Sequence, residues 1–240
     1  MKKVLKFFLL QVNKFLSVFG YMLYIKRTDL GYGYSDLEYD YSYNSIAHNS
    51  SEQMNNRFND KNFIKKYITN KKSLYNRLIN ICDNLEVELK DLDIADVGCG
   101  PGLFTYELKK HFPKNNFWGI DFSEAAIRYA KENFEDINFI THNIYKKIPH
   151  KFQLIICSQT LEHLDKPSLA ISNLMDSLEK DGFLILSVPD GRRDIYKGHI
   201  NFWSPESWNI YLDGILNGNV IKTGVIPTRD GNLYAIIKKS

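Results

Sequence analysis

The chain has 240 residues, room for one α/β domain and an appendage. Its 31 Lys and Arg against 28 Asp and Glu leave a net charge of +3, which excludes a general nucleic-acid-binding polyelectrolyte. Cys82, Cys99 and Cys157 lack metal-ligand spacing, so no metal centre is expected, and they read as reduced thiols of a cytoplasmic protein.

The first 27 residues stand apart. Lys2, Lys3, Lys6, Lys14, Lys26 and Arg27 are basic, and the first acidic residue is Asp29. On a helical wheel Lys2, Lys3, Lys6, Asn13, Lys14 and Ser17 share one arc, and Phe, Leu and Val fill most of the remainder. Lys6 and Lys14 interrupt the apolar run, so the segment lacks the ~18 uncharged apolar residues of a membrane span. It also lacks the unbroken core and cleavage site of a signal peptide. A basic helix with a wide apolar face reads as lying on an anionic membrane surface on the cytoplasmic side. The other reading is a helix packed on the catalytic domain or on a second subunit; the oligomeric state is left open.

Residues 28–52 carry Gly31, Gly33 and tyrosines 32, 34, 39, 41 and 43 among Asp, Ser and Asn, the pattern of a connector or lid. From Glu52 to Leu85 the apolar spacing predicts two helices with a break near Thr69 and Asn70. Strands are then expected at 93–97, 117–120, 137–141, 153–157 and 183–188. Helices are expected at 103–112, 123–134 and 168–180. This is the βαβ alternation of a doubly wound parallel sheet. Runs at 219–225 and 232–238, joined by a Pro and Asp-Gly turn, predict an antiparallel hairpin at the end.

The stretch IADVGCGPG at 94–102 joins the first strand to a helix. Glycine permits a sharp turn and close approach of a ligand, and the following helix N-terminus offers free N–H groups to an anion. A dinucleotide fold places its third glycine one residue later. Asp121 ends the second strand about 19 residues beyond the loop, where a carboxylate can accept from both ribose hydroxyls. Taken alone it could also cap the next helix, with Ser123 competing for that role, but the glycine loop before it favours ribose binding.

Asp96 with Gly98, Gly100 and Gly102 resembles the first motif of the class I S-adenosylmethionine (SAM) methyltransferases. The stretch FQLIICSQTLEHL at 152–164 resembles the fourth strand and following loop of that family, with Gln153 in place of its usual Asp. The run DGFLILSVPD at 181–190 resembles its fifth strand. The resemblance covers 91–238. It implies a Rossmann-like, mostly parallel seven-stranded sheet with a C-terminal antiparallel hairpin, and SAM as cofactor. Asp96 and the three glycines would then hold the donor, Asp121 its ribose and Phe122 its adenine. Asn143, with Ile144 beside it, replaces the family's usual acid at the adenine amino group. Ser158 and Gln159 would lie beside the methionine part.

His163 and His199 follow strand ends and are the candidate catalytic bases, a packing role being the alternative for His163. Trp203 shares the acceptor-facing segment with His199, and a helix is expected to begin at Ser204 with Pro205 in its first turn. The organisation expected is an anchoring helix at 1–27, a connector and helical cap at 28–90, and the methyltransferase domain at 91–240. The expected activity is methyl transfer to a small-molecule, sugar or lipid-linked acceptor, with O-methylation in envelope glycan or lipid biosynthesis favoured. The alternatives are a quinone-type methyltransferase, a nicotinamide oxidoreductase and an inactive binding protein.

Overall fold

The computed structural model describes residues 49–240 apart from 197, 229 and 230. The expectations for 1–27, and for the tyrosines of the connector, lie outside the described residues.

Two helices come first, α1 (Ser51–Asn59) and α2 (Lys61–Asp83). The break falls at Asp60 rather than near Thr69 and Asn70. Asp60 ends α1 by donating its backbone N–H to Arg57 O, and starts α2 with its carboxylate accepting from Asn62 N. Thr69 does not interrupt α2, because its hydroxyl turns back and donates to Lys65 O.

The core then alternates as expected: β1 (Asp93–Val97), α3 (Leu103–His111), β2 (Asn116–Asp121), α4 (Glu124–Asn133), β3 (Asn138–Thr141) and β4 (Phe152–Ser158). A 3₁₀ turn (Leu161–His163), α5 (Pro167–Asp176), β5 (Leu178–Pro189), α6 (Pro205–Leu216), β6 (Val220–Ile226) and β7 (Asn232–Lys238) complete it. The helix predicted at 168–180, α5, stops four residues early. Ser177 closes it, its N–H and hydroxyl both donating to Asn173 O. Leu178 is already buried in β5 opposite Phe152.

The seven strands lie in the order β3-β2-β1-β4-β5-β7-β6. All pairs are parallel except β5 with β7 and β6 with β7. Side chains alternate across the sheet, so each strand feeds two cores. One holds Ile155 and Cys157 of β4 and Leu184 and Leu186 of β5 against α5 and α6. The other holds Leu154 and Ile156 of β4 against Leu74 and Leu78 of α2 and Phe104 and Leu108 of α3. Trp203 belongs to the first core, where its ring meets Trp208 at 5.3 Å and Tyr211 at 5.3 Å; it is a packing residue rather than an acceptor-facing one. Gln153 supports the start of β1, its side-chain oxygen accepting from Asp93 N at 2.8 Å. The capping box of Ser204 and Ser207, with Pro205 in the first turn, starts α6 where the sequence places it.

This topology opens a crevice. The strand order reverses between β1 and β4, and ligands of open α/β sheets bind beyond the carboxyl ends of the strands at such a point.

Candidate active site

The loop after β1 has left-handed backbone at Gly98 (φ 81°), Gly100 (φ 53°) and Gly102 (φ 80°). Gly98 also needs to be small: a Cβ there would lie 2.1 Å from Thr160 Oγ1, in the loop after β4. The loop is tied to β2 by Gly98 N and Cys99 N, which donate to Ile120 O at 2.7 and 3.1 Å.

Asp121 serves the loop as well. One carboxylate oxygen accepts from Gly100 N and the other from Ser123 N, both at 2.8 Å. Ser123 is the cap of α4, its hydroxyl accepting from Ala126 N. The carboxylate therefore braces the glycine turn from the end of β2, and each oxygen retains a lone pair for a further donor. Burial pushes its carboxyl above the usual range, while the N–H groups of Ser123 and Gly100 oppose the shift.

Asp96, next to last in β1, is almost fully buried and accepts from Thr105 Oγ1 at 2.7 Å. Loss of hydration raises its carboxyl to about 7, against the pull of the Thr105 hydroxyl and with a further push from Asp121.

A cleft between the glycine loop and α2 is lined by Asp96, Gly98, Cys99, Ser158 and Gln159 from the sheet side and by Tyr67, Lys71 and Tyr75 from α2. Lys71 Nζ donates to Gln159 Oε1 at 3.1 Å across the opening. The enclosed volume is about 10 Å³, enough for one water. Drug-sized ligands need several hundred Å³, on the order of 300–1,000. As it stands the cleft is far narrower than a nucleoside, with Tyr67 and Lys71 on its α2 side.

Of the residues singled out by sequence, Asp96, Gly98, Ser158 and Gln159 share this cleft. Gly100 and Asp121 are joined by their hydrogen bond at 2.8 Å beside it. Gly102 caps α3 and packs on Ala130 and Phe139. Phe122 is half-buried beside Asp121. Asn143 is exposed, and its side-chain oxygen accepts from Tyr145 N. Ile144 packs on the α5 side of the core. The sequence reading missed Tyr67, Lys71 and Tyr75. Their spacing of four residues puts all three on one helical stripe, a signal open to inspection.

A second constellation lies past the end of β4. Glu162 is 1% exposed, and neither carboxylate oxygen has a hydrogen-bond partner among the described residues. Burial raises its carboxyl to about 7, opposed by the charges of His199 and Lys71. The rings of His163 and His199 lie 4.6 Å apart. His163 Nδ1 donates to Gly198 O at 3.0 Å, and His199 Nδ1 pairs with the Asp194 carboxylate. Burial and the neighbouring His199 hold the His163 imidazole neutral, pushing it down to about 3. Glu162 O accepts from Ile200 N and Asn201 N, which fastens the segment carrying His199 onto the β4 loop. Asn49 adds a tie, donating to Gly198 O at 2.9 Å.

A parallel sheet with an antiparallel C-terminal pair, an acidic strand end before a three-glycine turn, and a second acid on β2 define a class I SAM-dependent methyltransferase. A methyltransferase-domain family model matches residues 88–215, just over half of the chain, and the chain belongs to that family. The nicotinamide alternative, which shares the loop and Asp121, is thereby set aside. Over 126 residues the chain is 28% identical to a malonyl-[acyl-carrier protein] O-methyltransferase of Bacillus cereus, covering 51% of this chain and 47% of that one. It is 33% identical over 109 residues to a ubiquinone biosynthesis O-methyltransferase of Coxiella burnetii, covering 43% and 46%. The chain thus spans about half the length of these curated relatives. Among solved structures, the plantazolicin methyltransferase in complex with SAH (the demethylated donor) has the same fold at a TM-score of 0.61 and 14% identity, covering 82% of this chain and 98% of that one. The magnesium protoporphyrin IX methyltransferase of Synechocystis with bound SAM superposes at 0.56 with 21% identity, covering 75% and 86%. No helix among the described residues is long and apolar enough to cross a membrane.

Proposed function

We propose that this enzyme methylates a hydroxyl oxygen, and that the proton of that hydroxyl is lost at the Glu162, His163 and His199 pole of the crevice. The observation that carries the reading is Glu162, a buried carboxylate with no hydrogen-bond donor among the described residues, facing two imidazoles beside the donor cleft. The sulfonium is already an activated electrophile, so the protein's task is to align acceptor and donor and exclude water. A hydroxyl acceptor also needs a route for its proton. Both Nδ1 atoms face oxygen acceptors, which leaves Nε2 of each ring as the nitrogen available to take a proton. A carboxylate acceptor fits this pole poorly, because Glu162 would repel it. On the donor side, Asp96, Gly98, Gly100, Gly102 and Asp121 hold the methionine and ribose parts, Ser158 and Gln159 line the methionine end, and Phe122, Asn143 and Ile144 lie toward the adenine.

The acceptor we favour is a lipid-linked or envelope-sugar hydroxyl, supported by the six basic residues and apolar arc of 1–27, which suit an anionic membrane surface. A prenylated quinone is the second reading, supported by the likeness to the ubiquinone biosynthesis enzyme. The test is transfer of isotope-labelled methyl from SAM to lipid and glycan extracts, followed by mass spectrometry of the labelled species. A methyl ether on a hydroxyl is expected, with turnover reduced about 10²–10⁴-fold in His199→Ala and donor affinity little changed. Label found only on nitrogen or on a carboxylate would refute the hydroxyl reading.

A further inference from the structure

We propose that Glu162, His163 and His199 form a binding site for a divalent first-row transition-metal ion beside the donor cleft. The binding itself stands on the geometry of this pole; its use in catalysis rests on the hydroxyl acceptor proposed above.

The three side chains converge from two loops, each offering one ligand atom, and these atoms lie within 4.8 Å of one another. His199 Nε2 stands 3.9 Å from Glu162 Oε1. Ligands bound at about 2.1 Å to a tetrahedral ion are about 3.4 Å apart, so side-chain shifts of about 1 Å close the site. The outer partners are already in place. A ligating histidine donates its second ring N–H to a carbonyl or carboxylate, which fixes tautomer and orientation. His163 meets Gly198 O at 3.0 Å in this way, and His199 meets Asp194. His199 thereby presents its Nε2 to Glu162.

Glu162 supplies the independent sign. It is 1% exposed, and its two oxygens find no hydrogen-bond donor among the described residues. A buried anion without donors is costly, and a cation seated between it and the imidazoles removes that cost. The charges of His199 and Lys71 offset part of this cost from a distance, but no donor reaches either oxygen among the described residues. Two imidazoles and one carboxylate favour zinc, iron(II), cobalt or manganese over magnesium or calcium, which prefer oxygen alone. Three protein ligands leave open positions toward the crevice. An acceptor hydroxyl held there would lose its proton to solvent more readily. Its oxygen then forms the C–O bond as the methyl C–S bond breaks, leaving the neutral thioether and the methyl ether, with no oxidation step.

The experiment uses the full chain, stripped with a chelator and titrated with Co²⁺ and Zn²⁺ by equilibrium dialysis. The visible bands of Co²⁺ report the ligand field. One ion per chain is expected, bound at least 100-fold more weakly by His199→Ala and by the near-isosteric Glu162→Gln, and about tenfold more weakly by Asp194→Asn. His150→Ala, which breaks the Asp93 pair on another face, should leave the ion in place. SAM affinity serves as the folding control for every variant. No stoichiometric ion, or an ion retained unchanged by both Glu162→Gln and His199→Ala, overturns the site. If stripped enzyme methylates a hydroxyl at full rate and still needs His199, the metal's catalytic use is overturned and the hydroxyl reading survives. If the ion binds as expected but labelled methyl appears only on nitrogen, the site stands and the hydroxyl reading falls.

Discussion

Asp96 should make donor binding depend on pH. Its carboxyl is raised to about 7 because burial strips its hydration and Asp121 lies nearby, opposed by the hydroxyl and backbone N–H of Thr105. SAM brings a sulfonium and an ammonium group, so the ionised form of Asp96 is the one that favours the donor. Below the raised value, binding must first remove a proton. If only the ionised form binds, apparent affinity falls by about tenfold per unit below 7, or about 100-fold at pH 5. It should level off above about pH 8. The apoprotein should show the opposite trend in stability. A carboxyl raised from 3.8 to about 7 is protonated in the folded state where the unfolded chain has lost its proton, so stability falls as pH rises between these values and is flat beyond them. Titration calorimetry from pH 5.5 to 8.5, in buffers of different ionisation enthalpy, gives both the affinity and the protons released. Asp96→Asn should flatten the profile, which separates Asp96 from any other group titrating in the same window. A wild-type affinity independent of pH, or a slope unchanged in Asp96→Asn, would refute the reasoning.

Three further outcomes follow from the same geometry. Asp121→Ala should weaken SAM by about 2–3 kcal/mol and lower thermal stability, since it removes a donor-facing carboxylate and frees Gly100 N and Ser123 N; unchanged calorimetric affinity would contradict the ribose role. Gly98→Ala should abolish measurable donor binding, because its Cβ meets Thr160 Oγ1 and its φ is 81°. Binding should return in part when Thr160→Gly is added, and a single variant that binds SAM normally would contradict the close approach. Deleting residues 1–27 should release the protein from anionic vesicles in co-sedimentation while SAM affinity stays intact. Equal sedimentation of both forms would assign those residues a packing role.

The glycine loop was legible from sequence because its demands are local. A left-handed turn that also approaches another chain segment admits little but glycine, so Gly98, Gly100 and Gly102 announce the turn without any knowledge of what lies across it. The parallel sheet was legible for a similar reason. Apolar runs such as 152–158 and 183–188 are what strands buried on both faces require, and the terminal hairpin carried its own turn residues. Asp121 declared itself by its place at a strand end, although its two backbone partners did not.

What the tertiary structure alone decided depends on contacts between distant segments. The break at Asp60 is a choice between competing caps, and Asp60 prevails because it serves both helices at once while Thr69 bonds back into its own helix. Tyr67, Lys71 and Tyr75 line the cleft beside the glycine loop only because the fold brings α2 against Asp96 and Gly98. Trp203 passes from an expected acceptor contact to the core because Trp208 and Tyr211 of α6 fold over it. The meeting of Glu162 and His163 with His199 is fixed by Ile200 N and Asn201 N donating to Glu162 O, a backbone tie between segments far apart in the chain. Residue type and local period determine which elements form, whereas a cluster of three polar side chains exists only once the fold has brought two loops together.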